Sequence, residues 1–216
     1  ADFNHITSHN LRSPVSNLNA LLNLYKKTDS KKKKLEIFDK FEIVVDHLSE
    51  TLNALIETIT IKHNASAITE ELCFEHVLLK TKNVLAAELI ETNAKIHCNF
   101  SNAKIVKCNP IYLESIFLNL VSNSLKYKSP DRVPEIFITS QTVNRRILLE
   151  FKDNGLGIDM KMHGNKIFGL NKVFHKHPDA RGIGLFLTKA QISSMGGSIS
   201  VESEVNKGTT FYITLN

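Results

Sequence analysis

The sequence predicts an α+β chain: an N-terminal antiparallel helical hairpin followed by a two-layer α/β sandwich. Three observations lead there. Residues 3 to about 63 contain one proline, Pro14, and no glycine, and their apolar residues keep a heptad rhythm. From about residue 70, helix-period stretches alternate with short period-2 runs, the pattern of helices laid on mostly antiparallel strands. Finally, 216 residues that are 42% hydrophobic and 23% charged suffice for a substantial core. They exclude a disordered or low-complexity chain.

In the hairpin, Leu11, Val15, Leu18, Leu22 and Tyr25 step by 4, 3, 4 and 3, which holds them on one helical stripe. Phe38, Val45, Leu52 and Ile59 follow seven apart, with Phe41, Leu48 and Leu55 at the other seam position. Thr28-Asp29-Ser30 and the run Lys31 to Lys34 form the short polar connection that makes the helices antiparallel. Two helices with a stripe each cannot enclose a core, so two hairpins are expected to pair as a four-helix bundle in a homodimer. The alternative is that the stripes pack on the rest of the same chain. The expected domains are residues 1–66 and 67–216.

In the second domain, residues 75–91 read as an amphipathic helix, and Ile96 to Phe100 and Ile105 to Cys108 as short strands. Pro110 stands where a helix begins, and Ile111, Leu113, Ile116, Phe117, Leu120 and Val121 continue it. Two alternating runs follow, Glu135 to Val143 and Arg146 to Lys152, with Asn144 near their turn. A glycine-rich irregular stretch from Asp153 to Arg181 precedes a helix from Gly182 to Met195. Strands from Ser198 to Glu204 and Thr209 to Leu215, joined through Asn206-Lys207-Gly208, close the chain.

The net charge of +5 and pI near 9.0 are mildly basic. The lysine run has no interleaved aromatics and no reading motif accompanies it, which argues against a nucleic-acid partner. No window approaches the roughly 18 apolar residues of a membrane span, so no membrane contact is expected from this stretch. Cys73, Cys98 and Cys108 are an odd count without CxxC spacing, which points to neither disulfides nor zinc but to a reducing, cytoplasmic setting.

Three segments can carry chemistry. Asp153-Asn154-Gly155-Leu156-Gly157 puts a carboxylate at a strand end, with glycines that let backbone approach a flat ligand. Asp153 can accept a hydrogen bond from an exocyclic amine there; alone, such a cluster is a tight loop. Arg181-Gly182-Ile183-Gly184-Leu185 opens a helix whose first N–H groups can meet phosphate. Asn119 and Asn123, at i and i+4 with Lys126 beyond, are poor helix formers inside an apolar helix. An amide oxygen for a metal beside phosphates would account for them, and helix capping is the plainer alternative.

Taken in this order, the segments resemble the Bergerat (GHKL) nucleotide fold of histidine kinases, gyrase, Hsp90 and MutL. Asn119 to Tyr127 resembles its N box, Asp153 to Gly157 its first glycine box, Ile167-Phe168 with Phe174 its F box, and Arg181 to Leu185 its second glycine box. No Gly-x4-Gly-Lys-Ser/Thr loop is present, which argues against a P-loop enzyme. Ser8-His9-Asn10-Leu11-Arg12-Ser13-Pro14 resembles the H box of sensor histidine kinases of two-component systems, with His9 at the phosphorylated position. Helical metal binding by His5 and His9 lacks a third ligand. Pro14 would kink the helix one turn beyond the histidine.

The resemblance implies ATP-dependent autophosphorylation of His9, then transfer to an aspartate on the receiver domain of a response regulator, whose docking surface borders Leu18 and Leu22. It implies ATP bound with its adenine amine on Asp153 and its ring near Tyr127. It assigns Mg2+ to Asn123 with Asn119 nearby, phosphate oxygens to Lys126, and phosphate-facing N–H groups to Gly182 and Gly184. Gly155, Gly157, Arg181, Leu185 and Thr209 complete the nucleotide set, and Phe168 anchors a lid over residues 159–180, with Phe174 packing beside it.

Four places depart from the family. Asn10 replaces the usual Glu or Asp after the histidine, so the second imidazole proton lacks a carboxylate base. Ser13 stands where Thr or Asn helps position the hydrolytic water, which bears on phosphatase activity. Asn171 and Val173 replace an aromatic and an arginine, leaving Lys172, Lys176 or Arg181 to supply the charge. Ala180 replaces a glycine. These departures sustain a second reading, a catalytically weak nucleotide-binding scaffold; a third is a GHKL ATPase of another class. Only eight residues precede His9, so the chain reads as a fragment of a longer, membrane-anchored or soluble sensor.

Overall fold

A computed structural model describes the backbone of residues 3–63, 69–174 and 182–216, with hairpin side chains described from Leu11 to Ile61. The chain divides into two compact units, Ala1–Thr60 and Ile61–Asn216.

The first unit is built from two helices. Helix α1 (Phe3–Lys27) runs unbroken through Pro14, whose missing N–H removes the helical donor for the Asn10 carbonyl. Helix α2 covers Lys31–His63, so Thr28–Ser30 alone is the connection. The lysine run is not part of it but the first helical turn. Ser30 caps that turn: its hydroxyl accepts from the Lys33 N–H at 3.4 Å and its carbonyl from the Lys34 N–H at 3.0 Å. The Lys34 ammonium lies 5.3 Å over the Tyr25 ring, a cation–π contact tying the helix ends together.

The apolar rows divide differently from the expected single stripe. Pro14 and Leu21 are buried, Leu11 and Leu18 half-buried, and on α2 Leu55 is buried with Phe41 and Leu48 half-buried. Val15, Leu22, Tyr25, Phe38, Val45, Leu52 and Ile59 remain 38–55% exposed. A heptad seam has two rows, and one partner helix covers only one of them.

The second unit lays helices on one face of a five-stranded sheet. Its elements are β1 (Glu70–Cys73), α3 (Phe74–Val84), α4 (Ala86–Thr92), β2 (Lys95–Asn102), β3 (Ile105–Cys108) and α5 (Pro110–Lys126). After these come β4 (Glu135–Val143), β5 (Arg146–Asp153), α6 (Met160–His163), α7 (Gly184–Ser194), β6 (Ser198–Glu204) and β7 (Gly208–Leu215). The sheet order is β2-β4-β5-β7-β6, antiparallel except for the parallel pair β2–β4. The expected helix over 75–91 is two helices that break at Leu85. The expected strands β2 and β3 are not neighbours: β3 pairs with β1 in a separate two-stranded sheet.

Period-2 geometry sends Ile136 and Ile138, Leu149 and Phe151, and Phe211, Ile213 and Leu215 to the helix-facing side, where all are buried. They meet Leu113, Ile116, Phe117, Leu120 and Val121 of α5 in one core. Helix α5 starts at Pro110 as expected, and Asn109 caps it, accepting from the N–H of Ile111 at 3.0 Å and of Tyr112 at 3.4 Å. The cysteines are free, and burial pushes the Cys108 thiol up to about 11. Among the described residues, no helix is long and apolar enough to cross a membrane.

Candidate functional site

Continuing the inward row Leu149, Phe151, the last residue of β5 is Asp153. Its side chain therefore turns toward the helices at the edge of the core. Oδ1 accepts from the backbone N–H of Gly155 at 2.8 Å and of Thr209 at 3.1 Å. Oδ2 faces the Ser124 hydroxyl of α5 at 3.4 Å. Burial pushes this carboxyl above the ordinary range, opposed by these three hydrogen bonds and by the charge of Arg132.

The loop after Asp153 is fixed by contacts no motif announces. The Arg132 guanidinium donates to the carbonyls of Asn154 at 2.5 Å, Gly155 at 2.7 Å and Asn206 at 2.7 Å. The Leu156 N–H donates to the Tyr127 carbonyl at 2.9 Å, and the Ile158 N–H to the Ser203 hydroxyl at 2.8 Å. Gly157 has φ +65°, and a β-carbon on it would lie 2.6 Å from the Glu204 carbonyl carbon; only glycine fits there. Asn154 turns away and braces β4 through the Glu135 N–H at 2.9 Å.

Opposite this loop stands the polar edge of α5. Asn119 donates through Nδ2 to the Thr188 hydroxyl of α7 at 2.6 Å, and its Oδ1 accepts from Asn123 Nδ2 at 3.3 Å. That bond leaves Asn123 Oδ1 as the atom available to a ligand. Gly184, at the start of α7, packs directly on the Asn119 amide. Gly182, with φ +69°, packs on the backbone of Asn171 and Lys172, which brings these two stretches together at the cavity wall.

These elements enclose an open cavity of about 230 Å³. Asn119, Asn123, Lys126, Tyr127, Asp153, Gly157, Gly182, Gly184, Leu185 and Thr209 line it together. Of the other residues singled out, Gly155 lies just behind in its loop. Phe168 stands behind the wall, 6.5 Å from the Phe211 ring, while Phe174 is on the wall, 5.0 Å from His163. Lys172 lines the cavity, with Asn171 and Val173 on either side of it in sequence. Arg181, Ala180 and Lys176 lie outside the described residues, as do the side chains of His9 and Asn10; Ser13 is exposed on α1. The sequence reading missed Ser124, Arg132, Thr188, Ser203 and the apolar wall of Ile158, Ile183 and Phe211. Only the alternation that makes Phe211 inward-facing carried a signal for any of them.

A strand-end carboxylate bonded to backbone amides, an apolar slot and a helix start beside an asparagine edge define a nucleotide-binding α/β sandwich. Residues 108–216 match the family described as histidine kinase-, DNA gyrase B-, and HSP90-like ATPase, and the chain belongs to it. The ligand of this domain family is ATP.

The relatives extend over the hairpin as well. The chain is 24% identical over 212 residues to the signal transduction histidine-protein kinase ArlS of Staphylococcus aureus, covering 95% of this chain and 46% of that one. It therefore spans about half the length of the curated relatives it matches. Among solved structures, the Acinetobacter baumannii histidine kinase AdeS superposes with a TM-score of 0.62 at 20% identity, over 96% of this chain and 97% of that one. Histidine kinase ThkA, solved in complex with response regulator protein TrrA, gives 0.59 at 16% identity, over 96% and 59%. These structural likenesses carry the fold.

Proposed function

We propose that this chain is the kinase portion of a sensor histidine kinase, which phosphorylates His9 from ATP and passes the phosphoryl group to an aspartate of a response regulator. The observation that carries the proposal is one chain holding both an Asp153–Asn123 nucleotide cavity and a histidine on α1 one turn before a helical proline. The domain boundary is proposed near residues 66 and 67.

Asp153 accepts the adenine amine through Oδ2, since Oδ1 is committed to two backbone amides. Leu185, Ile158 and Phe211 exclude water from the ring, with Tyr127 at the edge. Lys126 and Lys172 bring positive charge to the phosphates, and Gly182 and Gly184 let the start of α7 approach them. The neutral Asn123 Oδ1 suits a hard divalent cation, and Mg2+ held there would shield phosphate charge. An imidazole nitrogen of His9 bonds to the γ-phosphorus as the bond to the ADP oxygen breaks, and the other ring nitrogen gives its proton to solvent water. Catalysis rests on positioning and charge neutralisation. Asn10 fixes the imidazole tautomer without keeping that proton, so turnover is slow. With Ser13 in place of Thr or Asn, dephosphorylation of the regulator is weak.

The bare row Val15, Leu22, Phe38, Val45, Leu52 and Ile59 supports a homodimer through the hairpin. A second reading, a nucleotide-binding scaffold with little catalysis, is favoured by Asn10 and by Asn171 and Val173 flanking Lys172. Gamma-labelled ATP separates the readings. Acid-labile label on wild type and none on His9→Gln is the expected result. Bound nucleotide without label supports the scaffold, and free phosphate without phosphoprotein supports an ATPase of another class.

A further inference from the structure

The interface between α5 and α7 carries buried polar side chains. Across it Asn119 bonds Thr188 and Gln191 Nε2 donates to Ser115 at 3.0 Å, and within α5 Asn123 bonds Asn119. Thr188 and Gln191 are each only 1% exposed. Buried polar groups are retained where they fix geometry, because misaligned packing leaves them unsatisfied. Here the geometry fixed belongs to the cavity. The Thr188 hydroxyl oxygen accepts a hydrogen bond from Asn119 Nδ2. That orients Oδ1 of the same amide toward Asn123 Nδ2, which in turn presents Asn123 Oδ1 to the ligand. The same Asn119 amide is the surface on which Gly184 rests.

We infer that Thr188 is a positioning residue for the cation side of the nucleotide site: through Asn119 it sets which atom of Asn123 faces the phosphates. The inference rests on the ATP reading above. Valine has the shape of threonine without the hydroxyl, so Thr188→Val frees the Asn119 amide and lets Asn123 present nitrogen as well as oxygen. Losing one such hydrogen bond corresponds to about a three- to tenfold effect.

The test is binding of a fluorescent ATP analogue by the whole chain, titrated with Mg2+ alone, alongside a thermal melt. Thr188→Val should raise the Mg2+ concentration for half-maximal binding about three- to tenfold. Affinity without Mg2+ should change less than about twofold, and Thr188→Ser should restore wild-type behaviour. Should the valine variant not fold, Thr188→Ala gives the same comparison. An unchanged Mg2+ midpoint, an equal loss with and without Mg2+, or a serine variant as poor as valine overturns the inference alone. Wild-type chain that binds no nucleotide overturns the ATP reading and this inference together.

Discussion

Replacing Asp153 by asparagine isolates what the carboxylate contributes beyond shape. Two backbone donors, from Gly155 and Thr209, converge on Oδ1 at 2.8 and 3.1 Å, so the carboxamide oxygen must take that position. Its NH2 then occupies the Oδ2 position, facing Ser124 and the cavity. Ser124 can rotate its hydroxyl to accept, whereas an adenine amine cannot. The nucleotide thus loses a hydrogen bond to a charged acceptor and meets a donor instead. A loss of about 2 kcal/mol, roughly thirtyfold in affinity, follows. Because both backbone bonds survive, the melting temperature should stay within about 3 °C of wild type. Titration of a fluorescent ATP analogue, with a melt on the same samples, measures both. Wild-type affinity in Asp153→Asn would refute the assignment of Oδ2 to the amine.

Acidification should act on the same atom. Binding needs the ionised acceptor, and burial raises the Asp153 pKa, so affinity for adenosine, which has no titrating phosphate, should fall at higher pH than an exposed carboxylate would dictate. Asp153→Asn should show no such step over that interval. Asn10→Asp, by supplying a base, should increase the autophosphorylation rate about tenfold or more; an unchanged rate in a single-turnover assay removes the base argument. Gly157→Ala combines positive φ with a collision against the Glu204 carbonyl, so a calorimetric melt should register a loss of at least about 2 kcal/mol. Leu52→Glu puts charge on the bare hairpin row, where Leu52 is 43% exposed, and should convert a dimer to monomer by light scattering without loss of helix content.

The parts legible in the sequence were those whose cause is local. Pro110 and the apolar stripe after it located α5, and Asp153 with its glycines located the cavity, because a helix start and a tight approach depend on neighbouring residues. Strand β1 escaped because Glu70-Glu71-Leu72-Cys73 shows no alternation and its partner β3 lies more than thirty residues on. The parallel pairing of β2 with β4 has no local signature at all. The break at Leu85 carries neither glycine nor proline. In the hairpin, the heptad count identified both apolar rows but not which one the chain covers itself. In the site, Arg132, Ser124 and Thr188 act across 22, 29 and 69 residues of sequence. Their types are ordinary where they stand.

Gly182 rests against the Lys172 backbone, so two residues ten apart in sequence meet main chain to main chain at the cavity wall. Their separation there is set by backbone and not by any side chain. Exchanging the Lys172 side chain therefore alters the charge facing the cavity while the start of α7 keeps its place.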